Sequence, residues 1–112
     1  MKRDILYEIY HKNITEKHAQ DLYQELFEKF HNYELKIAPT DYLCLSVPER
    51  TAFILHDISF TTLALWRYEG WPTVCVACKK PLDFTQGNWR AFEEIIIDNT
   101  IYEKALVHWD CY

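Results

Sequence analysis

Cys75-Val76-Ala77-Cys78 and His108-Trp109-Asp110-Cys111 are the two stretches whose reading decides the fold. Each places two soft or borderline metal ligands three positions apart. The 29 residues between Cys78 and His108 are enough to bring the second pair round to the first. A Cys3His set suits zinc in a closed tetrahedral site, where the ion supplies folding free energy and leaves no open position for chemistry. The expectation is therefore one structural zinc ion per chain, held by Cys75, Cys78, His108 and Cys111.

Other readings of Cys75 and Cys78 compete with this one. A redox Cys-x-x-Cys starts a helix, whose amides and dipole lower the thiol pKa. Here Lys79-Lys80-Pro81 follows at once, and a proline in the second helical turn costs about 3 kcal/mol. A tight knuckle fits better. A nucleoside-deaminase site would need His-x-Glu upstream and Pro-Cys-x-x-Cys; the chain has His56-Asp57-Ile58 and Thr73-Val74-Cys75 instead. A disulfide framework belongs to short secreted chains, and unrelated core cysteines remain as the plain alternative. Cys44, among Tyr42, Leu43 and Leu45, reads as a buried, inert thiol.

Cys75-Val-Ala-Cys78-Lys-Lys-Pro-Leu82, closed by His108-Trp-Asp-Cys111-Tyr112, resembles the knuckle and second ligand pair of treble-clef zinc modules such as LIM domains. The resemblance covers about a third of the chain. Its two halves stand further apart than in a LIM finger and no second finger follows, so it implies the zinc site without implying a LIM function.

The 112 residues suggest one small domain, residues 1–112, in a size range where a metal staple supplements a limited core. Hydrophobic residues make up 49% and aromatic ones 16%, which excludes a disordered chain. The formal charge is −5. Three zinc-bound thiolates and a dication would add about −1 more, so binding to nucleic acid through neutralised phosphates is disfavoured. The basic start at Met1-Lys2-Arg3 has no apolar run behind it, unlike a signal peptide. No apolar run is long enough for a membrane span. Thiols with ligand spacing suit a reducing compartment, and a cytoplasmic location is expected.

Along the chain, an α+β arrangement is expected, with residues 1–70 mainly helical and 71–112 zinc-clipped and β-rich. Ile5, Leu6, Ile9 and Tyr10 share one helical face. Asn13, with Glu16 three residues on, has the spacing of a capping box. Ala19, Leu22, Tyr23, Leu26, Phe27 and Phe30 then follow a helical period, with Glu16, Lys17, Gln20, Asp21, Gln24, Glu25 and Glu28 on a solvated face. Tyr33–Ile37 is expected to be a short extended piece. Ser46-Val47-Pro48-Glu49 is a second capping box with proline in the first turn. It opens a helix towards His56, itself read as a satisfied side chain rather than a ligand. A further helix over Ser59–Tyr68 ends at Gly70, expected to be a left-handed cap. Beyond the knuckle, Ile95-Ile96-Ile97 and Ile101-Tyr102 around Asp98-Asn99-Thr100 look like a β-hairpin. A helix from Asn88 through Trp89, Phe92 and Ile96 is the alternative.

No phosphate-cradling loop, nucleophile elbow or zinc-protease motif occurs, and a non-enzymatic chain is expected. Asp110 reads as an exposed group or as the oxygen that orients His108. Eight Tyr and four Trp exceed what a small core requires, and such residues anchor protein interfaces. Glu93, Glu94, Asp98 and Glu103 lie beside Trp89 and Tyr102. Trp89, Glu93, Glu94 and Asp98 are accordingly the candidate partner-binding residues, and a basic protein is the expected partner. This character is similar to that of small acidic immunity proteins of bacterial toxin systems, a resemblance that implies neutralisation of a basic toxin nuclease. A Cys-x-x-Cys redox enzyme and a nucleic-acid-binding zinc finger are the alternative functions. Basic clusters, the mark of the latter, are absent apart from Lys79-Lys80.

Overall fold

The structure, a computed structural model, describes residues 2–112. Among the described residues, five helices precede a two-stranded antiparallel sheet, an α+β arrangement. The helices are α1 (Ile5–Tyr10), α2 (Glu16–His31), α3 (Pro39–Tyr42), α4 (Val47–His56) and α5 (Phe60–Glu69). A 3-10 turn at Phe84–Gln86 leads into β1 (Trp89–Ile97) and β2 (Thr100–His108). No helix among the described residues is long and apolar enough to cross a membrane.

Every helix but α3, which Ala38 precedes, begins where a side chain can receive an orphan amide. Asp4 accepts from Tyr7 N at the start of α1, and Ser59 accepts from Thr62 N at the start of α5. Ser46 and Glu49 form the reciprocal capping box expected of α4, with Pro48 in its first turn. The box expected from Asn13 does not form. Thr15 caps α2 instead, its hydroxyl accepting from His18 N at 3.1 Å. That frees Glu16, whose carboxylate crosses to α5 and accepts from Phe60 N, Thr61 N and the Thr61 hydroxyl. A residue expected to close its own helix thus caps another.

The apolar stripe of α2 is only partly covered. Ala19 and Leu26 are buried, whereas Phe27 and Phe30 near its end are exposed. Residues 33–37 form bends rather than an extended strand, and the four-residue α3 follows with Pro39 in its first turn. So short a helix carries no periodicity to read. Gly70 ends α5 at φ 115°, ψ 140°, a conformation open mainly to glycine but not the left-handed helical cap.

The core runs continuously from the helices into the sheet. Ile5, Leu6, Leu43, Ile58, Phe60 and Leu63 are fully enclosed on the helical side, as are Trp89, Leu106 and Val107 on the sheet. Aromatic packing joins the two. Trp71 stacks on Phe84 and touches Trp66 and Trp89. The Trp89 indole N–H donates to the Phe84 carbonyl at 2.7 Å.

The hairpin is longer than Ile95–Tyr102 alone suggests, and residues 89–97 are strand rather than helix. Asp98 and Asn99 form its two-residue turn with φ values of 51° and 64°. Positive φ at both central residues is the requirement of a type I′ turn, whose twist matches that of the flanking strands. The register pairs Trp89 with His108 and Ile97 with Thr100. It therefore carries His108 back to the start of the sheet, beside the knuckle.

Candidate metal centre

Cys75, Cys78, His108 and Cys111 converge, with one ligand atom from each lying within 4.8 Å of all the others. Backbone geometry builds both halves. In the first, Lys79 takes φ 66° and its N–H donates to the Cys75 carbonyl at 2.8 Å, closing a tight turn. Cys75 N donates to the Lys80 carbonyl, and Val74 bridges Pro81 on the return limb. In the second, Cys111 N donates to the His108 carbonyl at 2.9 Å, and Trp109 N to the Asn88 carbonyl. The two halves then lock together, because Val76 N donates to the Leu106 carbonyl at 3.2 Å.

Cys75 sits at the centre of the electrostatics. It is buried, and its sulfur accepts from Cys78 N at 3.5 Å and from His108 N at 3.3 Å. Burial by itself would push its thiol up. The amide donors of Cys78, His108 and Ala77 outweigh that and bring it down to about 6. Cys111 moves the other way, to about 11, through desolvation and then the hydrogen bonds and charge of Cys78 and Cys75. The thiolate is therefore favoured at Cys75 and disfavoured at Cys111, and a bound cation would relieve that crowding.

The donor set fits such an ion. Sulfur and nitrogen ligands around a tetrahedral zinc, with bonds of about 2.0 to 2.3 Å, stand roughly 3.3 to 3.8 Å apart. The His108 Nδ1 lies 3.2 Å from Cys78 Sγ and is the ring nitrogen turned into the cluster. The remaining spread closes with small side-chain movements. Four ligands would fill a tetrahedral ion, and thiolates select soft or borderline metals over hard cations.

Asp110 is exposed and makes no hydrogen bond to His108 among the described residues. Lying between two ligands in sequence did not bring it onto the ring. Cys44 stands outside the cluster, half-buried rather than enclosed, at φ 64° with its carbonyl accepting from Arg67. His56 is half-buried against the Trp89 ring, and burial followed by the nearby Arg90 charge lowers its pKa.

The four residues expected to meet a partner divide into two pairs. Trp89 is 1% exposed and packs in the core, so it cannot anchor an interface. Glu93 is also committed inside the molecule, its carboxylate accepting from Ser59 N and the Thr62 hydroxyl at 2.7 Å each. Strand parity explains both, since positions 89, 91, 93 and 95 face the helices. Glu94 and Asp98 are exposed.

A groove of about 410 Å³ lies between α1 and α5, lined by Ile9, Tyr10, Lys12, Leu65 and Glu69. None of the cluster residues lines it. The Tyr10 hydroxyl donates to Glu69 there, so these two polar groups satisfy each other.

Comparison with protein-family models, curated proteins and solved structures gives no match to this chain.

Proposed function

We propose that the chain is a non-enzymatic binding domain, clipped by one structural zinc ion and directed at a basic protein. The observation that carries the zinc reading is the convergence of Cys75, Cys78, His108 and Cys111, three thiols and an imidazole gathered from the knuckle and the end of β2. Such a set, once filled, offers no open coordination position, so its contribution is to folding. The basic partner is supported by the formal charge of −5 and by exposed carboxylates at Glu94, Asp98 and Glu103. A toxin nuclease domain is a basic protein of the kind an acidic partner would neutralise, with electrostatic attraction accelerating the encounter. On this reading the protein works in the cytoplasm, where its thiols stay reduced.

Purification without added metal followed by elemental analysis tests the first part. Near-stoichiometric zinc is expected, and a folded, metal-free protein overturns the zinc clip. Titration against purified basic nuclease domains tests the second. Saturable association that weakens steeply with salt supports it, and turnover of a disulfide substrate requiring Cys75 overturns it.

A further inference from the structure

The outer face of the hairpin carries a pattern that fold stability does not account for. The register sets Arg90, Phe92, Glu94 and Ile96 of β1 opposite Val107, Ala105, Glu103 and Ile101 of β2. The two rows nearest the metal cluster are covered. Arg90 stacks over the Trp109 ring at 4.3 Å, and Phe92 meets Tyr112 edge-on. The two rows nearest the turn are bare. Glu94 stands directly across from Glu103, and neither has an ion-pair partner within reach among the described residues. Next to them, Ile96 and Ile101 face each other at 58% and 61% exposure.

Like charges directly opposite each other destabilise a strand pair. Paired β-branched apolar residues on a solvated face leave hydrophobic area in water. Two adjacent rows that both work against the isolated fold mark a place where stability is traded for recognition. We propose that these rows are the docking surface of the basic partner, which sets an Arg or Lys side chain between Glu94 and Glu103 and an apolar flank on Ile96 and Ile101. This rests on the binding-domain reading above.

Charge decides among the possible occupants. A second copy of the chain would bring two further carboxylates against the first pair, and nucleic acid would bring phosphates. Only a cationic group gains from both carboxylates at once, and the forked guanidinium of arginine can bond to each. The partner meets the face and not the edge near the sheet's base, because the knuckle already occupies the edge of β2 at Leu106. The patch is also held ready, by the type I′ turn at one end and the knuckle contacts at the other, which limits the ordering cost of binding.

The test uses the zinc-loaded protein, an extended peptide of alternating arginine and valine as probe, and an alternating glutamate and valine peptide as control. Amide shift mapping should show saturable changes centred on Glu94, Ile96, Ile101 and Glu103 with the arginine peptide alone. The E94Q/E103Q variant should bind at least tenfold more weakly while its melting temperature stays the same or rises, which separates lost binding from lost folding. Shifts centred on the acidic face of α2, at Asp21, Glu25 and Glu28, would overturn this surface and leave the basic-partner reading in place. Concentration-dependent shifts of the same residues without peptide would overturn it in favour of a second copy. Indifference to both peptides, or equal binding by wild type and variant, would overturn it as well.

Discussion

Arg67 on α5 grips Glu49 on α4 with two sides of its guanidinium, Nε meeting Oε2 at 2.7 Å and Nη2 meeting Oε1. The same group reaches Asp4 ahead of α1 and the Cys44 carbonyl ahead of α4. Glu49 is 3% exposed and also receives Ser46 N. One cation therefore ties together the cap of α1, the loop before α4, the capping box and α5.

Removing Arg67 leaves the buried Glu49 carboxylate without its cation, whereas removing Glu49 leaves Arg67 paired with Asp4. Arg67→Met is expected to cost about 3 to 5 kcal/mol, and Glu49→Gln to cost less. The double variant should be less destabilised than the sum of the two, because the pair is removed together. Denaturant titration of all four proteins checks this, and strict additivity would show that the two residues act separately.

Metal content should follow the ligand set and ignore the fourth cysteine. Cys78→Ser is expected to abolish near-stoichiometric zinc binding and to lower thermal stability sharply, because binding energy is coupled to folding. Cys44→Ser should retain the metal. Equal zinc in both variants would mean that the converging residues are not the ligands.

The box that does not form between Asn13 and Glu16 gives a separate pair of variants. Glu16→Ala removes the acceptor for two α5 amides and should cost about 1 to 2 kcal/mol, the range for a lost helix cap. Asn13→Ala should change stability by less than about 0.5 kcal/mol, as an exposed substitution with no cap to lose. Thermal melts of the two variants separate these outcomes.

Acid should unfold the protein partly through His56. Its pKa is lowered by burial first and by Arg90 second, so the folded state favours the neutral ring. Its contribution is fully present above the ordinary histidine value of about 6.5 and is lost as pH falls through the lower folded value. His56→Gln should therefore lose less melting temperature than wild type between pH 7.5 and 5. An equal loss would place the acid sensitivity elsewhere.

What could be read before folding was local. The helices α2, α4 and α5 announce themselves by period and by the capping residues Ser46 and Ser59. The knuckle announces itself by spacing, and the hairpin by β-branched runs around Asp98-Asn99. What stayed hidden depended on distant partners. Glu16 has the right spacing to close its own helix, but its acceptors serve α5, 44 residues away. Glu93 and Trp89 look like surface chemistry until strand parity is set, and parity follows only from how far β1 extends back past Ile95. The Arg67–Glu49 pair joins two helices with no motif to signal it. Pro39–Tyr42 is too brief for a period to exist.

The pairing of Trp89 with His108 gives the metal cluster a further role, as a gauge of strand alignment. Side chains alternate between sheet faces, so sliding β2 by one residue would turn His108 away from Cys75 and Cys78 and expose Leu106. Only the correctly aligned hairpin can then complete the four ligands. An ion taken up by the finished cluster selects against every slipped alignment, including those in which Ile95-Ile96-Ile97 still finds apolar neighbours.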